Sequence, residues 1–529
     1  GTWPEDASES VALRACAEGR GQVLAVGDDD ATDAQIFAIH QIADNDKVLA
    51  SARFYRPFDD QYVQFVVTAE TIRIKVGSND WAQLTDSAGV AYYHAMRATK
   101  AVIVPCDGHI FFGMDGPSYI QVYRTGTALD PEMKSGNVYT NAYGTATNTI
   151  TGSWPTGVPF LAECRNRLCM STGLPLVDYT PAAGTSASGV WDLANGDSMI
   201  VRGSRIRALL GYASDAGMGF NEVLFMGTPE GWEFRTGFGD YDIMDRVPGA
   251  PPPLNQRAIC ATPNMIVYLG RDGSLGAIRD TRYLDLGRRL RKYDGTGVLD
   301  GMNLARSDLT AFAKWFAKQE QVRIHLSTGA AYTNDLCIVL DFKHGEPAPA
   351  MGRQGIEQAV RLMPWKIADP DVNPWFVSIH EAEDGTFTGV LADGNLYTIE
   401  SGDDDLGRLP VNGFLRLPRF TGLEGAALRQ KNYAHQRLRT VEVGNWPIDV
   451  SFFLDGEAAA AYTASITQLR KPASYAADTF VPGAIVKSRV SPMLTGEMLE
   501  VQIGNDRLGE SFVLTSTELL YSVGQEIVE

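Results

Sequence analysis

No apolar run in this 529-residue chain is long enough to cross a bilayer, so a membrane span is not expected. The opening residues, GTWPEDASES, also lack the basic and apolar segments of a secretory signal, and a start at Gly1 reads as a processed or trimmed end. Cysteine is scarce and scattered: Cys16, Cys106, Cys164, Cys169, Cys260 and Cys337 form no CxxC pair. They read as reduced, mostly buried small hydrophobes, which implies assembly in a reducing cytoplasm. Positive charge is short as well, with 46 Lys and Arg against 64 Asp and Glu and a net charge of −18. A sequence-reading nucleic-acid binder normally carries the opposite sign, because phosphate contacts supply most of its affinity. An acidic surface keeps a protein soluble, and it would equally suit a channel through which DNA slides without sticking.

The constellations of catalysis are missing too. GTSASG at 184–189 lacks the spacing of a nucleophile elbow, and Gly237-Phe238-Gly239 runs into Asp240-Tyr241-Asp242 where a dinucleotide loop needs further glycine. The seven histidines (His40, His94, His109, His325, His344, His380 and His435) are dispersed, without H-E-x-x-H or zinc spacing. Asp28-Asp29-Asp30 and Asp403-Asp404-Asp405 lack the alternating ligands of a calcium loop and read as solvated tips. Asp384-Gly385-Thr386-Phe387 is a fragment of the Asp-box of propeller sialidases and reads as a hairpin turn. The expectation is a protein that is not an enzyme, with no catalytic residues, cofactor or metal. A carboxylate pair for glycoside chemistry stays open, since acidic residues are plentiful.

What the chain does have is turn-forming material, 53 Gly and 26 Pro, between short apolar segments of period two. Hairpins are expected at Asp107-Gly108, Asp272-Gly273 and Asp393-Gly394, because Asp-Gly supplies the positive φ of a tight turn. The first two lie 165 residues apart and the last two 121, which argues against a regular repeat array and for unequal blades with inserted loops. A β-sandwich pair is the plainer alternative. Helices are expected over 284–294 and, more strongly, over 307–321, with Ser307 as cap and Leu309, Phe312, Trp315 and Phe316 on one face. The densest basic cluster, Arg282, Arg288, Arg289, Arg291 and Lys292, would serve to dock an acidic partner or phosphate, or would simply be a wet helix face. Arg202, Arg205 and Arg207 alternate on an expected strand. Strands over 437–443, 448–456, 498–505 and 511–523 indicate a C-terminal antiparallel module, with the stretch AAAAYTASITQLRKPASYAAD between them read as loop or short helix. The resulting division is an N-terminal β segment, blade or attachment region, over 1–100, a propeller body over 101–425, and the module over 426–529.

From 158 to 300 the order of segments is more specific than any of these motifs. VPFLAECRNRLCMSTG is built on Asn166-Arg167-Leu168; VDYT, a loop with Trp191-Asp192 and DSMIVRGSRIRALLGY follow; NEVLFMGTPEGWEF and ICATPNMIVYLGRDGSLGAI complete the run. This order resembles the β-propeller proteins of tailed-phage virions, among them the tail nozzle and hub proteins of short-tailed phages. VRIHLSTGAAYTNDLCIVLDF, the MPWKI segment and the hairpin at Asp393-Gly394 are similar to later parts of that pattern, whereas Ile206-Arg207-Ala208-Leu209 and VLFM depart from it. The fold class expected is all-β: an irregular propeller with one or two short helices, plus the antiparallel module. The resemblance implies a non-catalytic virion tail protein, assembled in the host cytoplasm. It implies a homo-oligomeric ring, commonly sixfold, with portal or adaptor and other tail proteins as partners. DNA would pass non-specifically through its channel at ejection. The alternative is a propeller that binds or hydrolyses glycans for host recognition.

Overall fold

The computed structural model describes residues between 47 and 523, leaving out within that span 184–190, 287–301, 343–360, 366–375, 421–428, 468–484 and several shorter stretches. Its strands fall into successive antiparallel meanders. Blade 1 is β1 (Val48–Arg56), β2 (Gln61–Thr68), β3 (Ile72–Val76) and β4 (Ala82–Gln83), paired in chain order. Blade 2 repeats the plan with β5 (Ala101–Cys106), β6 (His109–Met114), β7 (Gln121–Tyr123) and β8 (Leu129–Asp130). A small hairpin, β9 (Val138–Thr140) with β10 (Thr147–Thr149), precedes blade 3: β11 (Phe160–Cys164), β12 (Arg167–Ser171), β13 (Leu176–Tyr179) and β14 (Asp197–Ile200). Blade 4 is β15 (Ala208–Asp215), β16 (Phe220–Thr228), β17 (Gly231–Arg235) and β18 (Met244–Arg246). Blade 5 is β19 (Ile259–Ala261), β20 (Ile266–Leu269), β21 (Leu275–Arg279) and β22 (Arg282–Asp285). The short helix α1 (Leu304–Thr310) leads into blade 6: β23 (Phe312–Phe316), β24 (Gln321–Leu326), β25 (Leu336–Asp341) and β26 (Arg361–Trp365). Blade 7 shows three strands, β27 (Phe376–Glu381), β28 (Phe387–Leu391) and β29 (Leu396–Ile399).

Packing turns this series into a ring. At six of the seven joints the first strand of one blade lies beside the first strand of the next: β1 by β5, β5 by β11, β11 by β15, β19 by β23, β23 by β27, and β27 by β1. Blades 4 and 5 are joined through the core of Phe225, Trp232, Ile266 and Tyr268. Cores sit between blades: Phe65, Phe112 and Tyr123 between blades 1 and 2, and Leu209, Leu224 and Met170's neighbour Cys169 between blades 3 and 4. The fold is therefore a β-propeller, seven-bladed among the described residues, with the first strand of every blade nearest the axis. Because a middle strand is covered by blades on both faces, β24 and β25 are buried at every position, while the outer strand β14 is mostly exposed. At Gly211 on β15 a side chain would run into the Glu163 carbonyl of β11, so glycine is what lets these inner strands approach.

Blades 7 and 1 close the ring through side chains. The Ser51 amide donates to Ser378 Oγ (2.9 Å), Ser51 Oγ meets His380 Nδ1 (3.1 Å), and Val48, Val66, Trp81, Val377 and Val390 form the seam's core.

The C-terminal module is a sandwich. One sheet runs β32 (Gly413–Arg416), β38 (Leu499–Asn505), β34 (Pro447–Leu454), β35 (Tyr462–Thr467). The other centres on β33 (Lys431–Val441), which pairs β36 (Ile485–Val490), β37 (Leu494–Gly496) and β39 (Val513–Val523). Tyr433, Leu438, Val450, Phe452, Val490 and Ile503 fill the space between them. A further pair, β30 (Asp404–Asp405) with β31 (Leu409–Pro410), stands alone.

Several expectations are corrected here. The helix expected over 307–321 ends at Thr310; Asn303 rather than Ser307 caps it, and Phe312–Phe316 is the inner strand of blade 6. A run that alternates large apolar residues with Ala and Lys satisfies both periods, and pairing with β24 decides for strand. Of 284–294, Leu284 and Asp285 belong to β22 and the residues from Gly287 on lie outside those described. Arg202, Arg205 and Arg207 lie in the connection between β14 and β15, not on a strand. Part of the stretch read as loop or helix is the strand β35.

Candidate functional site

All inner strands enter the ring at one end of the axis, and the residues just ahead of them converge there. Asp308 on α1 accepts from Lys100 Nζ through Oδ2 (3.0 Å) and from Arg207 Nη1 through Oδ1 (3.2 Å). Lys100 immediately precedes β5, Arg207 immediately precedes β15, and α1 precedes β23. One carboxylate thus ties the entrances of blades 2, 4 and 6.

Beside it, the segment Asn255-Gln256-Arg257 ahead of β19 reaches four other blades. Gln256 Nε2 donates to the carbonyls of Leu161 (3.3 Å) and Leu209 (2.7 Å), and its Oε1 accepts from the Leu209 amide (2.6 Å). Asn255 Nδ2 donates to the carbonyls of Ser307 (2.9 Å) and Asp308 (3.0 Å) at the end of α1. Arg257, buried so that its guanidinium is pushed down to about 10, donates to the Val377 carbonyl of blade 7. Asn334 adds donors to Thr310 and Phe376, both at 2.9 Å. These amides satisfy main-chain groups that strand ends leave open. Chemically the arrangement is a clamp: its side-chain N–H donors reach carbonyls of neighbouring blades.

The opposite end carries the β-turns that follow the inner strands. Arg165 and Asn166 form a tight turn with φ of 52° and 56°, so Asn166 is a turn residue and β12 begins at Arg167. Glu163 accepts from the Asn166 amide (2.7 Å) and Glu222 of blade 4 from the Arg165 amide (2.5 Å), with Arg165 Nε donating to the Glu222 carbonyl (2.9 Å). Burial, then the neighbouring Glu222 charge, raises the Glu163 carboxyl above its ordinary range. Burial raises Asp107 nearby, and the same burial with these carboxylates raises the Cys106 thiol, which is inert in consequence.

Of the basic cluster, Arg282 lies exposed at the start of β22, and Arg288, Arg289, Arg291 and Lys292 fall outside the described residues. Asp107-Gly108 forms the expected turn with φ of 50° and 71°; at Asp272-Gly273 only the glycine is positive, at 79°; Asp393-Gly394 is outside the described residues. Asp28, Asp29, Asp30 and Asp384 are outside as well, and Asp404 and Asp405 are described only as backbone in β30. His325 and His380 are core residues held down to about 3 by burial, His325 stacking on Phe312 at 4.5 Å. Among the described residues no His, Cys, Asp and Glu cluster has metal-binding geometry, and no helix is long and apolar enough to cross a membrane. Five cysteines are free and buried. The axial residues escaped the sequence reading because Asp308 and Gln256 carry no motif: their role comes from where the ring places them.

No protein-family model matches the chain, and no curated protein matches its sequence. Among solved structures, the WD40 β-propeller domain of Doa1 is similar at a TM-score of 0.37 and 10% identity, covering 68% of this chain and 93% of that one. A streptogramin B lyase structure gives 0.35 and 10% over 74% and 96%. The extracellular domain of BT4673 from B. thetaiotaomicron gives 0.38 and 9% over 74% and 42%. Likeness at this level transfers no activity, and the propeller is established by the ring of blades itself.

Proposed function

We propose that this chain is a structural protein of a bacteriophage tail, a nozzle or hub whose copies form a ring on the portal or adaptor side and guide the genome during ejection. The observation that carries this reading is the axial clamp. Lys100, Asp308 and Arg207 spend on one another, across three blades, the charges that a ligand-binding propeller would present at its axis. A propeller braced in this way suits a rigid building block. The order of segments through blades 3 to 5, on which the resemblance to tail propellers rests, supports the same reading. The test is the native mass of the purified chain by light scattering, with imaging of the particles. Rings around a central channel are expected; a monomer at high concentration would overturn the reading.

A second reading is glycan hydrolysis at the Glu163 and Glu222 carboxyls, which lie together at the end of the ring opposite the clamp; they share a hydrogen bond, so a sugar would have to part them before they could divide acid and base roles. Glu163→Gln would then abolish turnover of a host-surface polysaccharide. Absence of any turnover by the parent chain would remove this reading.

A further inference from the structure

The outward face of the β36–β33–β39 sheet concentrates positive charge in a chain that is acidic overall. Leu438, Val486, Val490 and Leu514 point into the sandwich core, so Arg437 and Arg439 of β33 and Lys487 and Arg489 of β36 share the other face. Their register places like charges opposite each other: Arg437 pairs with Arg489 and Arg439 with Lys487. Arg489 also meets the His435 imidazole. Directly opposed cations weaken a sheet. Glu518 of β39 is the single carboxylate in these strands, and it lies between Arg437 (3.8 Å) and Arg439 (3.4 Å). Four cations against one carboxylate make a positive face on a chain of net charge −18.

We propose that this face docks the carboxylate-rich surface of a second copy of this chain. Charge complementarity names the occupant, since 64 acidic against 46 basic residues make any second copy a negative partner. The composition is that of a protein interface: three of the four cations are arginines, whose forks match carboxylates in two-bond geometry. Exposed Ile485 stands on the same face of β36, exposed Leu520 lies opposite His435 on β39, and exposed Met493 follows β36. Arginine, methionine and apolar side chains together mark protein contacts, whereas a phosphate-tracking surface has no use for the apolar rim. The inference deepens the ring reading above and rests on it for the association of copies.

The experiment is sedimentation velocity on the full chain, at low salt and at about 0.5 M salt, where the screening length falls to a few ångströms. The parent chain, Arg437→Glu/Arg489→Glu, Arg437→Gln/Arg489→Gln and Glu518→Gln are compared, each with a thermal melt. The parent should associate and loosen in high salt. The charge reversal should weaken association by at least about tenfold, the neutral pair by less, and Glu518→Gln should tighten it. The neutral pair should not lower the melting temperature, because it relieves opposed cations. The reversal, which sets like charges opposite each other and opposite Glu518, and Glu518→Gln, which removes the counter-charge of Arg437 and Arg439, should lower it only slightly, so association is compared at temperatures well below every melt. If the reversed variant assembles like the parent, this face is not the contact, and the ring reading survives. A parent that stays monomeric in all salts overturns both. A parent that binds short duplex DNA through these arginines without self-association also overturns the proposal and reassigns the face to phosphate.

Discussion

Replacing Asp308 by Asn keeps the shape of the side chain and removes the charge that Lys100 and Arg207 share. A charge-assisted hydrogen bond contributes about 1.5–3 kcal/mol when well shielded. The side chains of Asp308 and Lys100 are each 30% exposed and that of Arg207 22%, so solvent screening reduces each bond. We take about 1 kcal/mol for each of the two pairs, and the variant also leaves two cations facing each other. The expected loss is therefore about 2 kcal/mol, roughly a thirtyfold fall in the folded-to-unfolded ratio. Urea unfolding followed by tryptophan fluorescence reads the propeller well, since Trp154, Trp191 and Trp232 are buried in the cores between blades. The decisive form is a cycle with Lys100→Met and Arg207→Met. If Asp308→Asn costs as much in that background as in the parent, the carboxylate is not a tie between blades and the clamp interpretation fails.

Two further outcomes follow from the same structure. Burial holds His325 and His380 down to about 3, whereas an unfolded histidine takes up its proton near 6.5. Their contribution is fully present above about 6.5 and is lost as pH falls toward 3, because the unfolded chain then binds two protons the folded one refuses. Unfolding free energies from urea titrations between about pH 7 and pH 4 should fall by up to about 1.4 kcal/mol per pH unit for each histidine, and His325→Phe should remove about half of that slope; an unchanged slope would mean another group sets the acid limit. At the turn between β21 and β22, Asp280 and Thr281 hold φ of 50° and 60°, a conformation that penalises a β-branched side chain. Thr281→Gly should raise stability by about 1 kcal/mol in the same urea assay, and a loss would show that the threonine makes contacts worth more than its strain.

Much of the fold was legible because strand and turn signals are local. The strands expected over 437–443 and 448–456 fall on β33 (Lys431–Val441) and β34 (Pro447–Leu454), and the turn at Asp107-Gly108 stands where turn chemistry places it. The periodicity was hidden. Inner strands start at Val48, Ala101, Phe160, Ala208, Ile259, Phe312 and Phe376, so blades follow one another at 48 residues (Phe160 to Ala208) to 64 residues (Phe312 to Phe376). Asp107-Gly108 follows the first strand of blade 2, Asp272-Gly273 the second strand of blade 5, and the sequence position of Asp393-Gly394 is after the second strand of blade 7, so the pairs skip blades unequally and their spacing conceals the repeat. The segment 312–316 misled because its large residues fit helix and strand alike. The clamp was illegible in principle: Lys100, Arg207 and Asp308 are about a hundred residues apart in turn, and only ring closure brings them together. The cationic sheet face did leave a trace, the alternating R-L-R of β33 and K-S-R of β36, whose significance depends on knowing that the two pair.

The seam between blades 7 and 1 sets this ring apart from one fastened by a shared sheet. All four strands of blade 1 come from one continuous stretch, and no described strand of blade 7 crosses into it. Parting β1 from β27 would break the bonds among Ser51, Ser378 and His380 and uncover Val48 and Trp81, yet every backbone ladder would stay whole. Such a ring is fastened like a bracelet with a clasp: its last joint is made of side chains, and each blade's own sheet takes no part in it.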